Sequence, residues 1–233
     1  MNSLFFGLLM VVCAFQASNA DMLSNMRDQL QRAQNNVDSI LNDISRTKSN
    51  VQFSTQMKLS NKKSEYMGQI NGFVNPALAQ IRSDVDSANA GGKNAENCYD
   101  TAKDSLRTAS LNGFSGLDRC ESDAKNALSQ SLNVLSAQES TGNAIKADLS
   151  GIFPSCYSSN MIQMSSCIAI KLGGVNSTIR TWESTVNTAK FQANSDSNRA
   201  FLSMNTCGMN VVSSTRSATT DARIAANNCI KNA

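Results

Sequence analysis

The fold is decided by residues 175–229, which read VNSTIRTWESTVNTAKFQANSDSNRAFLSMNTCGMNVVSSTRSATTDARIAANNC. Small or apolar residues recur along this stretch every three or four positions, the period of one face of an α-helix. No proline interrupts the pattern, so the stretch predicts one long amphipathic helix. The predicted inward face consists of Ile179, Trp182, Val186, Ala189, Ala193, Ala200, Met204, Cys207, Val211, Ala218, Ala225 and Cys229.

Four cysteines connect this helix with the chain before it. Cys207 and Cys229 are 22 residues apart, which is about 33 Å along a helix and excludes a bond between them. Cys98 and Cys120 have the same spacing. Two antiparallel helices in constant register would therefore set Cys98 beside Cys229 and Cys120 beside Cys207. The matched spacing favours this nested pairing over the other connectivities.

The two predicted legs of the hairpin are joined by a cap at residues 151–176. Glycine and proline at residues 151–154 end the first leg, and Gly173-Gly174 precede the second. Cys156 and Cys167 lie in the cap and are left for each other, with a short helix predicted from Asn160 to Leu172. The third bridge would thus close the end of the hairpin.

Residues 21–92 are predicted to form an amino-terminal helical arm. Its apolar residues alternate in steps of three and four from Leu23 to Val51, which is typical of a coiled-coil seam. Asn75-Pro76 is typical of a helix start, so we expect a break there, a short helix from Pro76 to about Ala88, and an end at Gly91-Gly92. The pattern leaves open whether the seam packs on the hairpin or pairs with a second chain.

Together these elements predict an all-α protein. We expect an elongated antiparallel helical bundle, or coiled-coil hairpin, stapled by three nested disulfides over residues 93–233. Gly113 and Gly116 lie inside the first leg, where each glycine costs about 1 kcal/mol against alanine. We interpret them as positions where the two legs approach closely, although a local kink is equally allowed.

Residues 1–20 are typical of a signal peptide, with an apolar core from Leu4 to Phe15 followed by small residues at the expected cleavage positions. The apolar run is shorter than the ~20 residues that cross a bilayer, so no transmembrane segment is predicted. We therefore expect a mature chain from Asp21. Cys13 is lost with the signal peptide, and the six remaining cysteines indicate an oxidising, extracellular compartment.

Composition argues against most kinds of chemistry. The chain has no histidine, which excludes Ser-His-Asp and Cys-His catalysis and zinc held by histidine. No other nucleophile-and-base arrangement stands out, so we predict no catalytic, cofactor-binding or metal site. The net charge of +3 is modest for 233 residues, which gives nucleic acid binding little support.

One stretch, from Arg46 to Lys63, concentrates basic residues without any aspartate or glutamate. Its functional interpretation is a contact for anionic glycans or a lipid surface, assisted by Phe53 and Met57. The alternative is an ordinary solvated helix face. The basic residues are Arg46, Lys48, Lys58, Lys62 and Lys63.

Asn176-Ser177-Thr178 is the one standard N-glycosylation motif in the chain. It falls where the final helix was expected to begin, at the end of the hairpin. The motif predicts glycosylation of Asn176, which would keep that end soluble in a secreted protein.

With its signal peptide, long helices poor in aromatic residues, and paired cysteines at Cys98, Cys120, Cys207 and Cys229, the chain resembles insect secreted proteins of the TsetseEP-domain type. The resemblance covers residues 95–231; the amino-terminal arm and the glutamate-proline repeats of the founding protein are not part of it. It implies an extracellular, non-enzymatic insect protein of gut or secretory tissue. It transfers no site residues.

The leading functional hypothesis is a secreted helical structural or interaction protein that contacts a protein, a glycan or a microbial surface. The alternative is an extracellular carrier of lipid or another apolar ligand, because methionine and phenylalanine side chains make adaptable apolar linings. The lining residues under this alternative are Met57, Met67, Phe73, Met161 and Met164.

Overall fold

The computed structural model describes residues 2–233, with side chains described from Asp21 onward. The side chains of the predicted signal peptide, including that of Cys13, lie outside this described part. The described chain forms three helices: α1 (Asn2–Ala90), α2 (Glu96–Ser155) and α3 (Met161–Asn232). The prediction of an all-α fold is confirmed.

The helices pack as two compact units. Unit 1 comprises residues 1–50 and 131–193, and unit 2 comprises residues 51–130 and 194–233. Each unit therefore contains one segment of every helix. These units cut across the predicted arm at 21–92 and hairpin at 93–233, because α1, like α2 and α3, contributes to both units.

In unit 1 the predicted seam of α1 packs inside the chain. Its core positions Ala33, Val37, Ile40 and Ile44 are buried, so this part of the seam packs within the chain, whereas Leu23, Met26 and Leu30 at its start are partly exposed. Trp182 is also buried, and its indole N–H donates to the carbonyl oxygen of residue 138 at 3.1 Å.

Unit 2 has its own core, in which α2 runs antiparallel to both α1 and α3. Ile70, Leu106, Leu117 and Met204 are almost fully buried there. Polar side chains join this core: the hydroxyls of Thr55 and Ser197 lie 2.6 Å apart and share a hydrogen bond. The apolar stripe thus holds the three segments together while a buried hydroxyl pair fixes the register of α1 against α3.

The predicted disulfide pairing is confirmed. In unit 2, Cα atoms of the bonded cysteines are 5.7 Å apart in both bridges, and in unit 1 the distance is 5.6 Å. Constant antiparallel register between α2 and α3 produces this pattern, as the equal spacings indicated. The bridges join Cys98 to Cys229, Cys120 to Cys207, and Cys156 to Cys167.

Gly113 and Gly116 do not interrupt α2. A Cβ atom on Gly113 would lie 2.7 Å from the Thr215 hydroxyl oxygen, and one on Gly116 would lie 3.0 Å from a methyl carbon of Val211. Distances this short leave no room for a side chain. The interpretation of these glycines as points of close helix approach is confirmed.

The predicted break at Asn75-Pro76 is absent, and the short helix from Pro76 to Ala88 is part of α1. Pro76 lies inside the helix on its exposed side, where water can bind the carbonyl group that loses its partner. Val74 and Ala77 are buried on either side of it. Burial of the continuous apolar stripe outweighs the local cap signal, and α1 ends at Ala90 as expected, with Gly92 at a φ of 88°.

The cap predicted at residues 151–176 is also wrong. Helix α2 extends to Ser155 and α3 begins at Met161, so only five residues connect them, and the segment that was expected to end at Leu172 continues without a break. Gly173 and Gly174 have open space around them, and the buried face passes on to Ile179. The cost of two exposed glycines does not stop a helix whose apolar stripe continues.

Two alanines of α3 that were predicted to face inward are exposed instead: Ala218 and Ala225. Beyond Met204 the buried stripe of α3 takes two consecutive steps of four, to Gly208 and Val212, and then a step of three to Thr215. Steps of four shift the stripe around the helix relative to a strict heptad. The predicted inward positions in this part of α3 therefore lie one residue before the buried ones.

Candidate interaction surfaces

The five residues of the predicted anionic contact fall into both units. Arg46 and Lys48 belong to unit 1, whereas Lys58, Lys62 and Lys63 belong to unit 2. Lys48 is already engaged by the carboxylate of Glu139, at 3.1 Å. The absence of acidic residues in this stretch of sequence therefore does not mean that its charges are unpaired.

Lys63 lies in an ion-pair network between α1 and α2. Its ammonium group is 2.7 Å from the Asp118 carboxylate and 2.8 Å from Glu121. Glu121 is only 9% exposed, and its carboxylate also pairs with Lys125 at 2.7 Å. The hydrogen bonds that Lys63 donates, first to Asp118 and next to Glu121, raise the pKa of Lys63. The hydrogen bonds that Glu121 accepts, first from Lys125 and next from Lys63, lower the pKa of Glu121.

Lys62 is engaged by a neighbour on its own helix. Its ammonium group is 2.8 Å from the Glu65 carboxylate, and the hydrogen bond to Glu65 raises the pKa of Lys62. The same group lies 5.0 Å from the ring centroid of Tyr66, within the range of a cation–π contact. Three of the five predicted contact residues thus have intramolecular partners.

Arg46 and Lys58 are exposed, and the structure gives neither an ion pair in the described part of the chain. In unit 2, Phe53 and Met57 are 67% and 49% exposed, one helical turn apart. We call Phe53, Met57 and Lys58 the α1 contact strip. It combines apolar area with a free positive charge on an outer helix face, which is the chemistry of a contact with an amphipathic, anionic partner.

Asn176 does not mark a helix start. It lies inside α3, is partly buried, and lines a shallow groove of about 320 Å³ in unit 1 together with Arg32 and Arg180. The Thr178 hydroxyl of the glycosylation motif donates to the backbone carbonyl of Gly174 at 3.3 Å. The motif is therefore helical, and its glycosylation stays a prediction.

The residues proposed to line a carrier cavity do not gather at one place. Met67 and Phe73 pack against the core of unit 2, whereas Met57 of that unit is exposed. Met161 and Met164 belong to unit 1. Phe73 has a specific neighbour, since the guanidinium group of Arg216 lies 5.4 Å from its ring centroid.

A groove of about 430 Å³ runs between α2 and α3 of unit 2. Its walls carry Asn112, Arg119 and Asn210 beside the glycines of the close approach. None of the five carrier residues lines it. The groove is therefore not the cavity that the carrier hypothesis predicts.

Several exposed apolar residues were missed by sequence reasoning. Tyr157 and Ile162, at the connection between α2 and α3, are 83% and 64% exposed, and Phe191 is 74% exposed. Their exposure could have been predicted, because each is an apolar residue outside the buried stripe that recurs every three or four positions along its helix. This signal was used for Phe53 and Met57, but no role was assigned to Tyr157, Ile162 or Phe191.

Within the part of the chain that the structure describes, no cluster of three or more metal-binding side chains occurs. In the same residues, no helix has an apolar stretch of the length that a bilayer crossing requires.

The chain matches no protein-family model, and no curated protein or solved structure shows significant similarity to it.

Proposed function

We propose that the protein is a secreted, non-enzymatic helical protein that works by binding, and that its partners are proteins, glycans or microbial surfaces. The observation that carries the proposal is the α1 contact strip. Phe53 and Met57 remain exposed on a helix whose opposite face is fully packed, and such exposed apolar area marks contact sites. Lys58 adds a charge that has no ion-pair partner among the side chains described from Asp21 onward.

Secretion is supported by the three intramolecular disulfides, which persist in oxidising compartments, and by the signal-peptide pattern of residues 1–20. The resemblance to insect proteins of the TsetseEP-domain type points to gut or secretory tissue. The hairpin cysteines on which the resemblance rests form two inter-helix bridges, an arrangement that suits a durable extracellular scaffold.

The test is binding of the oxidised protein to a sulfated polysaccharide, read as the salt concentration that elutes it from an immobilised column. Replacing both Phe53 and Met57 by serine, or Lys58 by glutamine, should lower the elution salt. Leu111→Ser is the matched control, because Leu111 is 57% exposed on α2 of the same unit. Equal retention of all variants would reject the strip as the contact, and retention of none would reject a glycan of this charge.

The carrier alternative makes a separate prediction. Native mass measurement of protein from a secreting host would show discrete added masses of lipid size. A protein that carries only glycan mass, removed by enzymatic deglycosylation, would exclude the carrier and would establish modification at Asn176 instead.

A further inference from the structure

The described chain leaves one basic residue outside its helices. All but one of the 21 lysines and arginines lie within α1, α2 or α3, and the exception is Lys93 in the α1–α2 connection. A protease draws extended backbone into its cleft, and helical backbone resists this, so exposed connections are the preferred sites of cleavage. For an enzyme that cuts after lysine or arginine, Lys93 is the accessible target.

The local geometry around Lys93 suits cleavage. Residues 91–94 are all exposed. The backbone N–H groups of Gly92 and Lys93 donate to the carbonyl oxygens of Asn89 and Ala88, and once these bonds open, two glycines offer little steric resistance to an extended backbone. The Lys93 ammonium group donates to the carbonyl oxygens of Ile230 and Lys231, at 2.9 and 2.8 Å. These carbonyls belong to the last turn of α3, and terminal turns fray, so the tether can open without disturbing either core.

The disulfide pattern gives a cut at this position an unusual consequence. Two bridges join α2 to α3, and the third closes the connection between them. Residues 21–93 contain no cysteine. Once the bond after Lys93 is broken, no covalent link joins residues 21–93, the part of α1 with described side chains and its connection, to α2 or α3.

The second connection behaves in the opposite way. Tyr157 is exposed there, but it lies inside the loop closed by the Cys156–Cys167 bridge. A cut at Tyr157 would leave its two ends joined through that bridge. The molecule therefore has one connection where cleavage frees a helix and one where it does not.

The contacts that hold α1 include many polar ones. In unit 2 these are the Thr55–Ser197 hydroxyl pair and the ion pairs of Lys63, and in unit 1 Lys48 pairs with Glu139. A helix with such contacts exposes less apolar surface to water on leaving than one held by an apolar stripe alone.

We propose that the Lys93–Asn94 peptide bond is a processing site for a protease of trypsin-like specificity. Hydrolysis consumes one water, breaks the C–N bond, and leaves a carboxylate on Lys93 and an amino group on Asn94. The product is a two-piece molecule in which α1 binds the stapled α2–α3 hairpin non-covalently. The proposal is independent of the proposed binding function.

Limited digestion of the intact, oxidised protein with trypsin tests the site, with masses and non-reducing denaturing gels as the readout. The first products should be a piece ending at Lys93 and a piece comprising residues 94–233, separated without reductant. Lys93→Gln should slow the cut at least about tenfold, because residue 93 is then no longer a lysine that trypsin recognises, while the lysines and arginines in the helices stay protected. Lys93→Arg should restore it.

Lys103→Gln is the matched control, because Lys103 is exposed in α2 and loses the same charge; its digestion rate should equal that of the parent. Thermal unfolding of each variant separates lost specificity from lost stability. A first cut elsewhere between Asp21 and Lys231, an unchanged rate in Lys93→Gln, or pieces that stay joined without reductant would each overturn the proposal. A cut after Lys231 removes only the last two residues and is recognised by its mass.

Cleavage should also change how stability depends on concentration. While the connection is intact, α1 faces its binding surface at a high effective concentration, and after the cut it must bind as a separate molecule. The midpoint of thermal unfolding should therefore fall on dilution for the cleaved protein and stay constant for the uncut protein. A midpoint that is independent of concentration after cleavage would overturn the two-piece product.

Discussion

At the residue scale, Tyr66 shows how closely single side chains are fitted in unit 2. Its ring packs against Gly208, where an added Cβ would lie 2.3 Å from a ring carbon. Its hydroxyl donates to the Asn205 side-chain oxygen at 2.7 Å. Burial raises the pKa of the Tyr66 phenol, which keeps the hydroxyl protonated as a donor.

We predict that Gly208→Ala destabilises the protein by about 1 to 3 kcal/mol, because the ring of Tyr66 must move and overpacking of this kind has that cost. Urea unfolding measures the change. Gly68→Ala is the control in the same unit: nothing lies within 4 Å of its added Cβ, so it should stabilise the helix by about 0.5 to 1 kcal/mol. Equal effects of the two substitutions would contradict the close contact.

The Glu121 network predicts how stability depends on pH. The pKa of Glu121 is lowered from 4.5 in the folded protein, so its contribution is present above pH 4.5 and is lost as the pH falls through the folded pKa. The pKa of Lys63 is raised from 10.5, so its contribution is present below pH 10.5 and is lost as the pH rises through the folded value. Stability should be greatest between these limits.

Glu121→Gln should reduce the free energy of unfolding at neutral pH by about 1 to 3 kcal/mol, since charged partners are left with a weaker acceptor. The difference from the parent should shrink as the pH falls from 4.5 through the lowered pKa of Glu121, because the carboxylate becomes protonated first in the unfolded chain and then in the folded parent. Asp104→Asn, an exposed position in α2, is the control and should leave the acid limb of the curve unchanged. A difference that is constant across pH would contradict an ionised Glu121.

At the element scale, the continuity of α1 through Pro76 is the feature most open to test. We predict that Pro76→Ala stabilises the protein by about 1 to 3 kcal/mol, because a helix-interior proline removes a hydrogen bond and strains the preceding turn. Urea unfolding followed by helical circular dichroism measures it. Replacing proline also makes the unfolded chain more flexible, which lowers the stability of the folded protein, but this effect is smaller than the expected stabilisation of about 1 to 3 kcal/mol.

Asn75→Ala distinguishes the continuous helix from a break. If Asn75 capped a new helix, its replacement would cost about 1 kcal/mol. In a continuous helix an exposed asparagine is a weaker helix former than alanine, so the substitution should be neutral or slightly stabilising. A clear loss of stability in Asn75→Ala would contradict the continuous helix and would indicate that a new helix begins at Asn75.

Elements that rest on long-range register were predictable from this sequence, whereas elements that rest on local signals were not. The disulfides followed from two equal spacings, because bridge geometry allows little error. Asn75-Pro76 and Gly173-Gly174 are strong local stop signals, yet each lies on an exposed face of a helix whose buried stripe continues, and packing outweighed propensity.

The candidate contact shows a related limit. Lys48 and Lys63 lie in a stretch without acidic residues, but their partners Glu139 and Glu121 are 91 and 58 residues away in the chain. A charge run read along the sequence cannot reveal partners that only folding brings close. The exposure of Phe53 and Met57, in contrast, could be predicted from the sequence, because both residues lie outside the apolar stripe of α1.

At the scale of the whole molecule, covalent reinforcement is uneven. The α2–α3 hairpin is bridged at three levels, and the described part of α1 has no bridge. Crosslinks stabilise mainly by restricting the unfolded chain, and more so when they close longer loops. The contribution of each bridge must therefore be judged with the other two in place.

With the Cys120–Cys207 bridge intact, the Cys98–Cys229 bridge closes a loop made of two 22-residue arms, which corresponds to about 4 kcal/mol. The Cys156–Cys167 bridge closes a loop of 11 residues, which corresponds to about 3 kcal/mol. We predict that replacing the Cys98–Cys229 pair by alanines lowers the free energy of unfolding by about 1 kcal/mol more than replacing the Cys156–Cys167 pair. Urea unfolding of the two double variants, each verified to keep its remaining bridges, measures the difference. The opposite order would mean that the unfolded chain already holds the ends of α2 and α3 together, since only residual structure there would remove the advantage of the longer loop.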